Sequence, residues 1–220
     1  MRLLREKTTI PVPKVHGWGF SDVNPFGLGP FIIMDYIEGH PLGTLWEDPN
    51  QDRLLRPNID EQDLRKVYRQ ISRHLLELSR LQFTEIGSLD IGDDGTPLVR
   101  RPPLTLKMQE IEAHGGVKVG DSKTPFSSWT EYFTYVADQD LKHLNEQPNS
   151  VDDAQDARDK FVFRRLFRDA IPSFVSNEHG KEGSRLLNDD FRFGNILVKS
   201  QTDLSIVAVL DWEWTYTAPY

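Results

Sequence analysis

From residue 60 to residue 83 apolar side chains recur at three- and four-residue steps. Leu64, Val67, Tyr68, Ile71, Leu75, Leu78 and Leu81 fall on one face, which predicts an amphipathic helix with Asp60 and Glu61 at its start. A second helix is signalled at Ser128 followed by Glu131, a capping-box pattern, with Trp129, Tyr132, Phe133 and Val136 as its core stripe. A third starts near Asp152 and runs to about Ala170. Val162, Phe163, Leu166, Phe167 and Ala170 are expected to face inward, and Pro172 to kink or end it. Strand patterns lie elsewhere. Residues 14–20 alternate, and residues 30–37 (PFIIMDYI) form the best buried-strand candidate of the first half. Residues 85–101 hold two short strands around the turn at Asp93, Asp94 and Gly95. The polar stretch that starts at Arg100, Arg101, Pro102 and Pro103 and runs to about Phe126 reads as a loop with at most one short helix. Residues 1–7 read as the last turns of a helix, and the prolines at 11 and 13 force the next stretch to be extended. Strands segregated from helices along the chain predict an α+β fold.

Composition narrows the function classes. The chain has 220 residues, 38% of them hydrophobic, enough for one large domain or two small ones. Its net charge of −8 argues against a general nucleic-acid or anionic-membrane surface. No cysteine is present, which excludes disulfides, thiolate zinc sites and cysteine nucleophiles. The start of the chain lacks the apolar core of a signal peptide, and no apolar run is long enough to span a membrane. A cytoplasmic protein is expected.

The chemistry concentrates between residues 185 and 214. Residues 196–199 and 205–210 are β-rich and flank the polar turn Ser200, Gln201, Thr202, Asp203. A hairpin centred near Asp203 would set Asn195 and Asp211 opposite each other at its open mouth. Directly opposed residues have Cα atoms roughly 4.5–5.5 Å apart. An amide oxygen and a carboxylate at that distance suit one Mg²⁺ ion, which takes oxygen ligands and keeps several waters. Asp190 lies five residues before Asn195, in a loop that can bend its carboxylate over the same mouth. Magnesium ligands beside a carboxylate base are the apparatus of phosphoryl transfer. A surface hairpin with capping Asp and Asn residues is the plainer explanation, and a metal-dependent hydrolase using Asp189, Asp190 and Asp211 is a third. Other motifs fall away. Residues 115–124 (GGVKVGDSKT) miss the P-loop pattern, because Asp121 and Ser122 separate Gly120 from Lys123. Gly27, Leu28 and Gly29 read as an ordinary turn, the histidines at 16, 40, 74, 114, 143 and 179 show no metal-ligand spacing, and no serine lies in G-x-S-x-G.

With these residues assembled, the chain resembles the aminoglycoside phosphotransferase / choline kinase group of small-molecule kinases, particularly its fungal-type members. The most specific piece is LNDDFRFGNILV followed by VAVLDWEW, which is similar to the family's H-x-D-x-x-x-x-N loop and metal-binding aspartate. TTIPVPKVHGWG resembles the segment after the family's αC helix, PFIIMDYIEGHPL the last N-lobe strand and hinge, and HLLELSRLQFTEIGSL the long C-lobe helix and following strand. The resemblance implies a protein-kinase-like fold, with residues 1–38 a partial N-lobe and residues 39–220 the C-lobe. It implies ATP and Mg²⁺ as cofactors and a small hydroxylated molecule as acceptor, with no nucleic acid or membrane partner. Asp190 would be the catalytic base, and Asn195 and Asp211 the magnesium ligands. Met34 would sit beside the adenine, the backbones of Asp35 and Ile37 would bond its edge, and Leu197 would pack under it. Core packing explains Met34 and Leu197 equally well. Arg192 stands where protein kinases keep a lysine near the transferred phosphate, with a surface arginine as the alternative. Glu213 would be an extra acid or a structural cap.

Two departures qualify the resemblance. Asn188 replaces the family's loop histidine, and Asp189 adds a charge beside the base. The family's glycine-rich loop, phosphate-gripping lysine and αC glutamate would all precede Met1, so the chain is expected to be an interior slice with impaired turnover. A non-catalytic kinase-like remnant that binds nucleotide or a protein partner is the rival expectation.

Overall fold

The computed structural model describes residues 1–24, 26, 27, 29–175 and 183–220; Leu28 of the Gly27–Gly29 turn and His179 lie outside these residues. In chain order the first elements are α1 (Arg2–Lys7), β1 (Val15–Gly19), β2 (Phe31–Met34), β3 (His40–Pro41), α2 (Leu42–Trp46), β4 (Glu47–Asp48) and β5 (Gln51–Leu55). Next come α3 (Glu61–Ser79), β6 (Gln82–Phe83), β7 (Gly87–Ile91), β8 (Pro97–Arg101), α4 (Leu106–Gly115), α5 (Trp129–Glu146) and α6 (Ala154–Phe174). The chain ends with β9 (Ser184–Asn188), β10 (Ile196–Val198), β11 (Ile206–Val209) and β12 (Thr215–Ala218). Helix and sheet are mixed, as the α+β pattern requires. No helix among the described residues is long and apolar enough to cross a membrane.

Two compact units emerge, the first made of Met1–Leu81 with Asp190–Glu213, the second of Gln82–Asp189 with Trp214–Tyr220. In the first unit β10 is the middle strand of a three-stranded sheet, between β11 and β3. Its inward side chains Ile196 and Val198 are fully buried and meet Leu42 and Trp46 of α2, Val67 and Ile71 of α3, and Leu204. Asp60 caps α3, its carboxylate accepting the Gln62 amide, which satisfies a donor the helix cannot. Gly39 lies against the hairpin, where a Cβ would stand 3.0 Å from the Val198 carbonyl. A side chain there would push β3 away from β10.

In the second unit the sheet order is β6-β9-β12-β7-β8. β12 therefore has a neighbour on each side, and the Thr217 hydroxyl, fully buried, serves Gly87 and Glu85 backbone groups at 2.8–3.0 Å. Ser128 caps α5 by accepting the Glu131 amide, as its spacing predicts. Trp129 and Tyr132 of that helix pack on Ile86, Tyr216 and Ala218. Tyr132 and Tyr216 both have raised pKa values, chiefly from burial.

Two expectations about facing are overturned. β2 was expected to be buried, yet Ile32, Ile33 and Met34 are 60%, 56% and 44% exposed. Among the described residues it pairs only with β1, and a two-stranded ribbon offers no second layer to cover either face. On α6, Val162, Phe163, Leu166 and Phe167 face outward rather than inward. The helix is held to α5 by polar contacts on another face: Arg164 to the Asp140 carbonyl and Arg168 to the Asp138 carboxylate. α6 also runs past Ala170 to Phe174 with Pro172 inside it. Pro172 lies in the last turn, where its lost donor breaks one terminal bond rather than the helix.

Candidate active site

The loop between β9 and β10 alternates: Asp190, Phe191, Arg192, Phe193. The alternation sends the two phenylalanines one way and the two charged residues the other. Phe191 and Phe193 pack onto the buried cluster of the first unit. Phe193 meets Trp46 edge-on at 5.4 Å between ring centroids and Tyr68 at 5.9 Å. Phe191 meets Trp212 at 6.3 Å, and the Trp212 indole donates to the Val209 carbonyl. The loop is thus anchored from below at two points. Gly43 of α2 approaches it so closely that a Cβ would stand 3.1 Å from the Gly194 nitrogen.

The polar side of the loop closes on itself. Asn195 is buried and its Nδ2 donates to both the Asp190 carbonyl (3.0 Å) and the Asp190 carboxylate (2.9 Å). That spends the amide's donors and leaves Oδ1 as the acceptor, an assignment set by this bonding pattern. Arg192 Nε donates to the same carboxylate at 2.9–3.0 Å. The Asp190 side chain is 14% exposed, whereas Arg192 is 66% exposed. The Arg192 amide donates to the Asp190 carbonyl and the Asn195 amide to the Arg192 carbonyl, so backbone bonds fix the loop independently. Asp189 turns elsewhere: its carboxylate accepts the Leu106 amide at 3.0 Å. Asn188, at the end of β9, is buried opposite Thr215.

The hairpin forms, but one residue out of the expected register. Ile196 pairs with Val209, and the Leu210 amide donates to the Asn195 carbonyl at 2.8 Å. Asn195 is therefore opposite Leu210, and Asp211 lies one position further. The offset comes from the turn, which closes between Ser200 and Asp203 and so is centred ahead of Asp203; an extra residue on β11, Val207, opposite the step from Leu197 to Val198, takes part of it back. Asp203 holds that turn by accepting from Ser205 and Lys66, which keeps its carboxyl well below the usual range. Asp211 is exposed and has φ +56°, the one non-glycine residue with positive φ among the described residues. Aspartate tolerates this left-handed region better than most residues, and the kink re-aims its carboxylate as the chain leaves β11.

The remaining candidates lie in the same unit. Leu197 is half-buried, flanked across β10 by Pro41 and Ala208. Met34 ends β2. The Asp35 amide donates to the Lys14 carbonyl, and its carboxylate holds the His16 ring at 2.6 Å and the Lys14 amide at 3.2 Å. Ile37 lines a hollow of about 290 Å³ with Arg5, Val207 and residues 8–13. The structure thus brings Asp190, Arg192 and Asn195 into direct contact. Phe191, Phe193 and Gly43, which position that loop, were not read from the sequence, although the period-two alternation of residues 190–193 carries the signal.

Among the described residues no group of three or more His, Cys, Asp or Glu side chains could hold a metal. Amide and carboxylate oxygens such as those of Asn195 and Asp211 are the donor type that magnesium takes. Over 88 residues the chain is 33% identical to "Altered inheritance of mitochondria protein 9, mitochondrial" of Zygosaccharomyces rouxii. The match takes in 40% of this chain and 14% of that relative, so the chain spans a small part of its length. The family model described as the phosphotransferase enzyme family matches residues 1–219, nearly end to end. Such a family implies a protein-kinase-like fold, and this chain belongs to the phosphotransferase enzyme family.

Proposed function

We propose that the chain carries the catalytic loop of an ATP- and Mg²⁺-dependent phosphotransferase acting on a hydroxyl of a small molecule. The observation that carries this reading is the double hydrogen bond from Asn195 to Asp190. It fixes the carboxylate and leaves Oδ1 of the same amide as an acceptor that could serve a cation. Asp190 accepts the proton of the attacking hydroxyl through a carboxylate oxygen. Asn195 and Asp211 would hold Mg²⁺ through their side-chain oxygens. When bound, the ion neutralises charge on the phosphate oxygens. Arg192, ion-paired to Asp190 and largely exposed, swings from the base toward the phosphate as the acceptor arrives. Asp35 has already given its amide to Lys14, so its carbonyl and the Ile37 amide are the groups for the adenine edge, with Met34 and Leu197 against the ring. In this reading residues 1–38 belong to an N-lobe and residues 39–220 to a C-lobe.

A second reading, a kinase-like remnant that binds nucleotide without turnover, draws on the Arg192 ion pair that occupies the base. Calorimetry with Mg²⁺–ATP and a phosphotransfer assay separate the two. Asp190→Asn should keep nucleotide binding and lower turnover by about 10²–10⁴-fold, the usual worth of a positioned base. Turnover unchanged by Asp190→Asn overturns the catalytic role; binding with no turnover in either protein favours the remnant. Cytoplasmic residence is part of the proposal. The matched relative is mitochondrial by name, and cell fractionation decides between the two.

A further inference from the structure

In a chain of net charge −8, one face of α3 is basic. Arg65, Lys66, Arg69 and Arg73 line a groove of about 490 Å³ with Gln62 and Gln70. Arg65, Arg69 and Arg73 follow one another at four-residue steps, so like charges stack along the helix and destabilise it. Carboxylates near the groove are engaged at its ends: Glu61 pairs with Arg65, Asp203 with Lys66, and Glu77 with Thr9. Among the described residues Arg69 and Arg73 have no carboxylate partner. A second hollow of about 290 Å³ adjoins the first, sharing Gln70 and Arg73, with Pro11 and Ile206 in its wall. Gln70 is fixed between the two, bonded to the Leu204 carbonyl and the Ile206 amide.

We propose that this groove binds an extended acidic segment of a partner protein. Four helical residues rise about 6 Å. Alternate residues of an extended chain are spaced about 6.6 Å, so carboxylates at every second position meet successive arginines. The adjoining hollow takes an apolar side chain at the end of the acidic stretch. Glu77 lies there and repels a further carboxylate. This mixed acidic and apolar demand favours a peptide over a nucleic acid. The groove involves neither Asp190 nor Asn195, so the inference stands apart from the proposed phosphotransfer.

The test is fluorescence anisotropy with a labelled peptide of about ten residues that alternates glutamate with threonine and ends in leucine. The unlabelled competitors are the same composition with its glutamates in one block and a single-stranded oligonucleotide of equal charge. The alternating peptide should bind, weaken as salt rises from ~50 to ~300 mM, and lose affinity at least about tenfold in Arg69→Glu/Arg73→Glu. Circular dichroism checks that variant's fold; should it unfold, Arg69→Gln/Arg73→Gln takes its place. No binding, equal binding by the folded variant, or equal competition by the block peptide overturns the proposal. Stronger competition by the oligonucleotide overturns it in favour of nucleic acid.

Discussion

Asn195 shows how much one side chain can organise: its single amide group binds the backbone and the carboxylate of the residue five positions earlier. His74 is the opposite case. Its Nδ1 is buried with no hydrogen-bond partner among the described residues, and burial pushes its pKa below 6.5, against a smaller upward pull from Glu77. The folded state then binds fewer protons than the unfolded chain in the window just below that value. His74's contribution to stability is full above pH ~6.5 and is lost as pH falls toward its depressed folded value. Glu77 and Asp203, both held below the carboxylate range, add their own acid sensitivity at lower pH. His74→Leu should therefore flatten the loss of urea resistance between pH ~7 and ~5. A slope equal to the wild type's in that range would show that His74 does not titrate there.

At the scale of elements, the loop of residues 190–195 owes its position to the aromatic residues beneath it rather than to its charged groups. Phe193→Ala removes the edge-on contacts with Trp46 and Tyr68 and should cost about 2–3 kcal/mol by urea denaturation, less than for a fully buried ring. A loss under about 0.5 kcal/mol would mean the rings merely touch. The spacing of Asp190 and Asn195 and the existence of the hairpin were legible in the sequence, because both are local. The register was not, since nothing in the polar stretch 200–203 marks which residues close the turn, and the extra residue on β11, Val207, leaves no compositional mark. Nor was β3, whose Pro41 reads as a break although it lies on a sheet edge, where proline is tolerated. Periodicity found α6 and β2 but misjudged their facing. A stripe such as Phe163, Leu166 and Phe167 announces an apolar face without saying whether anything covers it. On α6, Arg164 and Arg168 bond to α5 from a face that the apolar pattern does not mark.

At the scale of the whole molecule, the chain leaves the first unit after Leu81, returns at Asp190 and departs again at Trp214. The strands β9 and β12 that complete the second unit's sheet come from far along the sequence, and nothing local announced their partners. β12 pairs with β9 and β7 at once. Tyr216→Pro deletes a ladder donor from a strand with two neighbours and should cost ~3 kcal/mol or more. Hydrogen exchange should then show β7, β9 and β12 losing protection together. Retained protection in β7 would mean that β7 and β8 stand without it. The same placement bears on how the protein is made. On the ribosome β7 and β8 emerge early and must wait, edge open, until residues 215–218 leave the exit tunnel. Throughout that interval the nascent chain offers an unclaimed strand edge, the kind of surface that chaperones shield and that aggregation exploits.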